Sequence, residues 1–71
     1  MTVTLYTRRG CHLCDQAKQA INSARRRGAF EYEEFDIDSD PKLRQMYDEE
    51  VPVITIDGVR ATVEELRRRV S

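Results

Sequence analysis

Two cysteines separated by two residues are the most reactive pair of side chains in this sequence. Cys11 and Cys14 are the only cysteines among the 71 residues, and His12 and Leu13 lie between them. Thiols at this spacing can form a disulfide with each other and exchange it with a disulfide in another molecule. A bridge that closes so short a loop adds little stability, because the entropy that a disulfide removes grows with loop length. The spacing therefore favours redox chemistry.

Other uses of the pair are buried structural thiols and metal binding. Free cysteines are common in protein cores, but this pair opens a helix directly after an Arg-Arg-Gly turn. A structural zinc ion needs four ligands, and Cys11, Cys14 and His12 are the only thiol and imidazole groups. We therefore expect no metal site within one chain and no bound cofactor. An alternative is an iron–sulfur cluster held by Cys11 of two chains together with external thiols.

The cysteine pair lies where a predicted strand is followed by a predicted helix. Residues 3–6 are β-prone, and the Arg-Arg-Gly turn that comes after them ends the predicted strand. Apolar side chains recur at helical spacing after Cys11, and three arginines at residues 25–27, followed by Gly28, form an ending signal, so the predicted helix runs from about residue 11 to residue 27. The apolar face of that helix comprises Leu13, Ala17, Ala20, Ile21 and Ala24.

The rest of the chain alternates strand and helix signals. In order these are a strand at residues 30–37, a helix opening at Asp40-Pro41, a strand at residues 51–56, the Asp57-Gly58 hairpin with a returning strand at residues 59–61, and a helix capped by Thr62 and Glu65. The order is β-α-β-α-β-β-α, which we interpret as one α/β domain over residues 1–71. A parallel first pair and an antiparallel hairpin predict a mixed four-stranded sheet with three helices on its two faces.

In such a sheet the cysteine pair lies at the carboxyl end of the strands, where open α/β sheets carry their sites. Cys11 falls in the first turn of the helix, where unpaired N–H groups and the helix dipole favour its thiolate, and Arg8 and Arg9 add positive charge. Cys14 lies one turn later and is more covered. We therefore assign Cys11 as the nucleophile and Cys14 as the resolving thiol. His12 either stabilises the thiolate as an imidazolium or simply faces solvent.

Val51-Pro52 is the second candidate for the site. Proline at the start of a strand is compatible with a cis peptide bond and cannot donate to a strand ladder. A cis bond would turn the Val51 backbone toward the cysteines, where an extended substrate segment could pair with it. An ordinary trans proline that ends the preceding loop is the other interpretation.

Charge and hydrophobicity limit the kinds of partner and the cell compartment that we expect for this protein. Charged residues make up 35% of the chain, yet they nearly cancel to a formal charge of −1. We therefore expect no nucleic-acid partner. The chain start lacks the features of a secretory signal, and no apolar run is long enough to span a bilayer. We expect a cytoplasmic monomer with no membrane association.

The first strand, the Cys11–Cys14 turn, Val51-Pro52, the Asp57-Gly58 hairpin and the closing helix together resemble the glutaredoxin branch of the thioredoxin superfamily. The resemblance covers essentially the whole chain. The resemblance implies a thioredoxin-like fold, a cis proline at Pro52 and dithiol-disulfide exchange through Cys11 and Cys14. It also implies that Arg8 and the Val51 backbone bind glutathione as a co-substrate. The implied partners are a disulfide-containing protein or a glutathione mixed disulfide, with glutathione or a thioredoxin-type reductase as the electron source. A dedicated electron donor to one reductive enzyme is an alternative function.

The sequence departs from that family pattern in two places. Glutaredoxins carry Gly-Gly before the last helix, whereas this chain has Ala61-Thr62. Glycines allow a ligand to approach the backbone closely, and Thr62 is expected to cap its own helix there. We therefore predict that glutathione is a weaker reductant for this protein than for a glutaredoxin with both glycines. His12-Leu13 replaces the usual Pro-Tyr, so the family pattern does not set the reduction potential.

Overall fold

The strands and helices follow one another along the chain in the predicted order. The structure is a computed structural model that describes residues 1–70. The strands are β1 (Thr2–Thr7), β2 (Glu31–Asp36), β3 (Val53–Ile56) and β4 (Val59–Ala61). The helices are α1 (His12–Arg27), α2 (Pro41–Tyr47) and α3 (Val63–Val70), and a short 3-10 helix covers Ile37–Ser39. Within residues 1–70 no helix has the length and apolarity needed to cross a membrane.

The strands form the predicted mixed sheet, in the order β2-β1-β3-β4. β1 pairs with β2 in parallel, as expected for a βαβ unit, and the other two pairs are antiparallel. β1 is therefore a central strand, held on both sides along its length. The carboxyl end of β1 leads directly into the turn that precedes the cysteines. The position of the cysteines is therefore set by a strand that is paired on both sides.

One face of the sheet packs against α1 and α3 and forms the hydrophobic core. Alternate residues of β1 and β3 meet apolar residues of the two helices, as the period of a strand and the period of a helix require. The buried members of this cluster are Val3, Leu5, Ala17, Ile21, Ala24, Ile54, Ile56 and Leu66. Three members of the predicted helical face, Ala17, Ile21 and Ala24, are confirmed in the core, whereas Ala20 is half-buried and lines a surface groove.

α2 covers part of the opposite face. The ring of Tyr6 in β1 lies 4.7 Å from the ring of Tyr47 in α2 and 5.8 Å from the ring of Phe35 in β2, measured between centroids. Burial raises the pKa of Tyr6, and the nearby Tyr47 and Glu33 add to the effect. Helices thus lie on both faces, which confirms the predicted layering.

Two turn signals behave as predicted. Asp57 and Gly58 both have positive φ, 52° and 82°, as a type I′ hairpin requires. The hydroxyl of Thr62 accepts a hydrogen bond from the backbone N–H of Glu65 at 3.2 Å and donates one to the Glu65 carboxylate at 3.4 Å. Thr62 therefore caps α3, in a variant of the predicted capping box.

Three predicted details differ from the structure. The second strand covers Glu31–Asp36 instead of residues 30–37, because the chain turns into the 3-10 helix at Ile37. The third strand begins at Val53 instead of residue 51, because Pro52 has no N–H to donate to the ladder. Leu13, predicted on the inner face of α1, is 61% exposed, since the first turn of the helix borders a groove and not the core.

Candidate redox site

A tight turn connects β1 to α1 and sets the position of the first cysteine. The backbone N–H of Cys11 donates to the carbonyl of Arg8 at 3.3 Å, and Gly10, the third residue of this turn, has φ 77°. Positive φ at that position is the feature of a type II turn that selects glycine. Apart from Gly10 itself and its two neighbours in the chain, no heavy atom lies within 4 Å of where a Cβ on Gly10 would be. Glycine is therefore required for its backbone conformation and not for space.

Cys11 and Cys14 form a disulfide at the N-terminus of α1, with their Cα atoms 5.1 Å apart. Cys11 is the N-cap of the helix, one position before the first turn in which the sequence placed it. Its Sγ accepts a hydrogen bond from the backbone N–H of Cys14 at 3.1 Å. The sulfur therefore satisfies one of the N–H groups that a helix leaves unpaired at its start. The same N–H group can stabilise a thiolate on Cys11.

The two sulfurs differ in accessibility. Cys14 is 0% exposed and belongs to the buried residues of α1, whereas Cys11 is partly exposed. A disulfide exchange requires direct approach of one sulfur to another. A thiol or disulfide of another molecule can thus reach Cys11 more easily than Cys14.

Arg8 is engaged by two carboxylates on the far side of the turn. Its guanidinium donates to both oxygens of Asp38, at 3.1 and 2.9 Å, and to the carboxylate and backbone carbonyl of Asp48, at 2.8 and 2.9 Å. The hydrogen bond from Arg8 holds the pKa of Asp38 below its usual range. A guanidinium has five N–H donors, so these four hydrogen bonds leave one. Arg8 therefore has at most one N–H for a substrate carboxylate.

The remaining predicted site residues lie around the dithiol. His12 is the first residue of α1 and is exposed, as one of its two interpretations stated. The Val51-Pro52 bond is cis, as the resemblance implies. Pro52 and Leu13 line the same groove, so the cis-proline loop and the Cys-x-x-Cys turn are neighbours. Val51 is half-buried and lies outside the strands, where its backbone forms no hydrogen bond with other backbone groups of residues 1–70.

The structure also shows site features that sequence reasoning missed. Asp38 and Asp48 are separated from Arg8 by 30 and 40 residues, so no local pattern predicts these contacts. The helical spacing of Leu13 predicts the inner face of α1, whereas its place inside the Cys-x-x-Cys segment indicates a surface position. Within residues 1–70 no group of three or more His, Cys, Asp or Glu side chains is arranged to hold a metal ion.

Comparison with known proteins places the chain in a family. A family model described as Glutaredoxin-like domain (DUF836) matches residues 2–71. The X-ray structure of the structural genomics target protein XcR50 from X. campestris is 35% identical, with a TM-score of 0.72, and the match covers 94% of this chain and 92% of that one. The thioredoxin-like protein BC3987 is 27% identical, with a TM-score of 0.69, over 93% of this chain and 96% of that one. No curated protein matches the chain.

These neighbours share the fold derived above, which is therefore thioredoxin-like. The match to the family model leaves out only the first residue, and it includes the disulfide turn and the cis proline. The chain therefore belongs to the glutaredoxin-like domain family.

Proposed function

We propose that this protein is a thiol-disulfide oxidoreductase that reduces disulfides in proteins or glutathione mixed disulfides. The observation that carries the proposal is the contrast between its two thiols. Cys11 caps α1 and is partly exposed, while Cys14 is fully buried beside it, with 5.1 Å between the Cα atoms. An exposed thiol can be reached by a partner, and a buried thiol at this distance can react only with that first thiol.

The reaction starts from the reduced dithiol. The Cys11 thiolate attacks one sulfur of the substrate disulfide, forms a mixed disulfide and expels the other substrate sulfur, which takes up a proton from water. Cys14 then loses its proton and attacks the Sγ of Cys11. This step restores the Cys11–Cys14 disulfide and releases the second substrate sulfur as a thiol. Two electrons pass from the protein to the substrate, and two glutathione molecules or a thioredoxin-type reductase return them.

Activation of the nucleophile is assigned mainly to α1. The Cys14 N–H donates to the Cys11 sulfur, and the N-terminus of a 16-residue helix carries partial positive charge. Both effects favour the thiolate. The charge of Arg8 is offset by Asp38 and Asp48, both within 2.9 Å of its guanidinium, so its contribution to the thiolate is smaller than the sequence suggested.

Substrate binding is assigned to groups around the dithiol. The backbone of Val51 makes no backbone hydrogen bond within residues 1–70, so an extended substrate segment can pair with it. Such pairing is largely independent of sequence. Pro52 and Leu13 line the groove next to the dithiol, so we assign them to contact with the bound segment, and the remaining N–H of Arg8 is available to a carboxylate. Because the reduced dithiol is the active form, we place the protein in a reducing compartment such as the cytoplasm.

The function is tested by steady-state reduction of 2-hydroxyethyl disulfide. The assay is run once with glutathione and glutathione reductase and once with a thioredoxin reductase, each with NADPH. Turnover with either system supports the proposal, and the faster system identifies the electron source. If neither system drives turnover and protein reduced beforehand with dithiothreitol does not reduce the disulfide, the proposal is wrong.

A further inference from the structure

A groove runs between α1 and α3 and starts beside the dithiol. Its near part, about 370 Å³, is lined by Leu13, Pro52 and Val63. Its far part, about 310 Å³, extends to the last turns of both helices. Ala20 and Arg67 line both parts, so the two form one continuous surface, which we call the helix groove.

The helix groove changes character along its length. The near part is mostly apolar, and Leu13 at its entrance is 61% exposed. The far part contains Arg27 and Arg67. These two are the only charged side chains among the described residues that line either part, although the whole sequence has 13 acidic residues and a net charge of −1.

The two arginines differ in how they are engaged. Arg67 contacts Glu64, one turn earlier in α3, at 3.0 Å, and both side chains are more than half exposed. An exposed pair of this kind is weak and can be exchanged for another carboxylate. Arg27 makes no ion pair within residues 1–70. The far part of the groove can therefore bind additional negative charge.

We propose that the helix groove binds a polypeptide segment of the disulfide substrate, with an apolar side chain next to its cysteine and carboxylates further along. This inference rests on the proposed function and names the substrate class. From Leu13 to Arg27 the helical rise spans about 21 Å, which an extended chain covers in about six residues. The carboxylates are therefore expected about four to six residues from the reacting cysteine.

The length of the helix groove also discriminates between protein substrates and glutathione. A tripeptide reaches at most about 10 Å when extended, so it can occupy the near part of the groove but cannot extend from Cys11 to Arg27. The helix groove therefore favours a protein partner, because only a longer segment uses both its apolar and its basic part.

The test uses synthetic peptides that carry one cysteine in a mixed disulfide with thionitrobenzoate, whose release is coloured. One peptide has glutamates about five residues from the cysteine, a second has lysines there, and a third has the glutamates next to the cysteine. The mercaptoethanol mixed disulfide of thionitrobenzoate measures the dithiol without a peptide. Second-order rates with reduced protein are divided by the rate for that small disulfide, so that changes in thiol reactivity cancel.

We expect the peptide with distant glutamates to react about fivefold faster than the lysine peptide at low ionic strength, and the ratio to shrink in high salt. Arg27→Glu should abolish the preference. Arg26→Glu is the matched control, because it makes the same charge change one residue earlier at an exposed position that does not line the groove.

Several outcomes overturn the inference. These are equal rates for the glutamate and lysine peptides, equal effects of Arg26→Glu and Arg27→Glu, or the same preference when the glutamates are next to the cysteine. Failure of the proposed function has a different signature, since the reduced protein would then react with the mercaptoethanol mixed disulfide no faster than a free thiol does.

Discussion

The backbone N–H of Cys14 donates a hydrogen bond to the Sγ of Cys11 over 3.1 Å. In most helices a Ser, Thr, Asp or Asn oxygen accepts this kind of bond at the N-cap. Here a sulfur accepts it, and the same sulfur is the partly exposed member of the dithiol. The contact that caps α1 is therefore also the contact to which we assign activation of the proposed nucleophile.

This contact predicts a lowered pKa for Cys11. In the reduced protein we expect a value below the roughly 8.5 of a free thiol, because the helix N-terminus favours the anion. The measurement is the ultraviolet absorbance of the thiolate against pH in Cys14→Ser, in which only one thiol titrates and the backbone N–H is retained. A value at or above that of a free thiol would remove the activation argument.

The contact between Arg8 and Asp38 predicts a loss of stability in acid. The hydrogen bond from Arg8 lowers the pKa of Asp38 in the folded state, so its stabilisation is complete above the unfolded value, roughly 3.9. It is lost as the pH falls through the lower folded value. Urea unfolding at several pH values should show that Asp38→Asn lowers the midpoint at neutral pH and weakens its dependence on acid.

Glu49→Gln is the control for that experiment. Glu49 is exposed and takes part in no ion pair or hydrogen bond within residues 1–70. Its removal changes the net charge by the same amount as Asp38→Asn. Equal effects of the two variants would show that net charge, and not the contact with Arg8, sets the acid sensitivity.

Gly10 and Gly58 allow the turn before the dithiol to be tested separately from stability. Both have positive φ, 77° and 82°, and both have open space where a Cβ would be. Replacing either by alanine should cost about 1–2 kcal/mol of unfolding free energy. Only Gly10→Ala should also slow the alkylation of Cys11, since that turn positions the cysteine. The idea fails if Gly58→Ala slows alkylation equally.

The segment before α3 predicts how well glutathione serves as reductant. Ala61 pairs with Ile54 in the sheet, and the hydroxyl of Thr62 caps the helix. A β-branched side chain therefore occupies the place where glutaredoxins have glycine. Substituting Gly-Gly at Ala61 and Thr62 should lower the KM for glutathione in the 2-hydroxyethyl disulfide assay. If the unmodified protein already saturates at cellular glutathione concentrations and the variant gains nothing, the departure has no functional meaning.

The fold was largely predictable because its signals are local. Asp57-Gly58, Thr62 with Glu65, and Asp40 before Pro41 each act within four residues, and the structure confirms all three. β2 was harder to define because it is an edge strand whose residues are mostly exposed. Such a strand has no clear apolar alternation, so its ends cannot be read from the sequence.

The sequence predicts the cysteines and the proline segment of the candidate site, but it does not predict the contacts that the residues around them make. The cysteines and Val51-Pro52 carry their signal in residue type and spacing. The partners of Arg8 depend on how the sheet brings distant segments together, and the role of Leu13 depends on where α3 lies. Both are tertiary relationships, which periodicity within one helix or strand does not contain.

The central claim is that Cys11 attacks the substrate and Cys14 resolves the mixed disulfide. It is tested most directly by intact-mass spectrometry of the reduced single-cysteine variants after reaction with glutathione disulfide. We predict that Cys14→Ser rapidly gains one glutathione on Cys11 and keeps it, whereas Cys11→Ser, left with the buried Cys14, remains essentially unmodified over the same time. Faster modification of Cys11→Ser than of Cys14→Ser would contradict the assignment and reverse the roles of the two thiols.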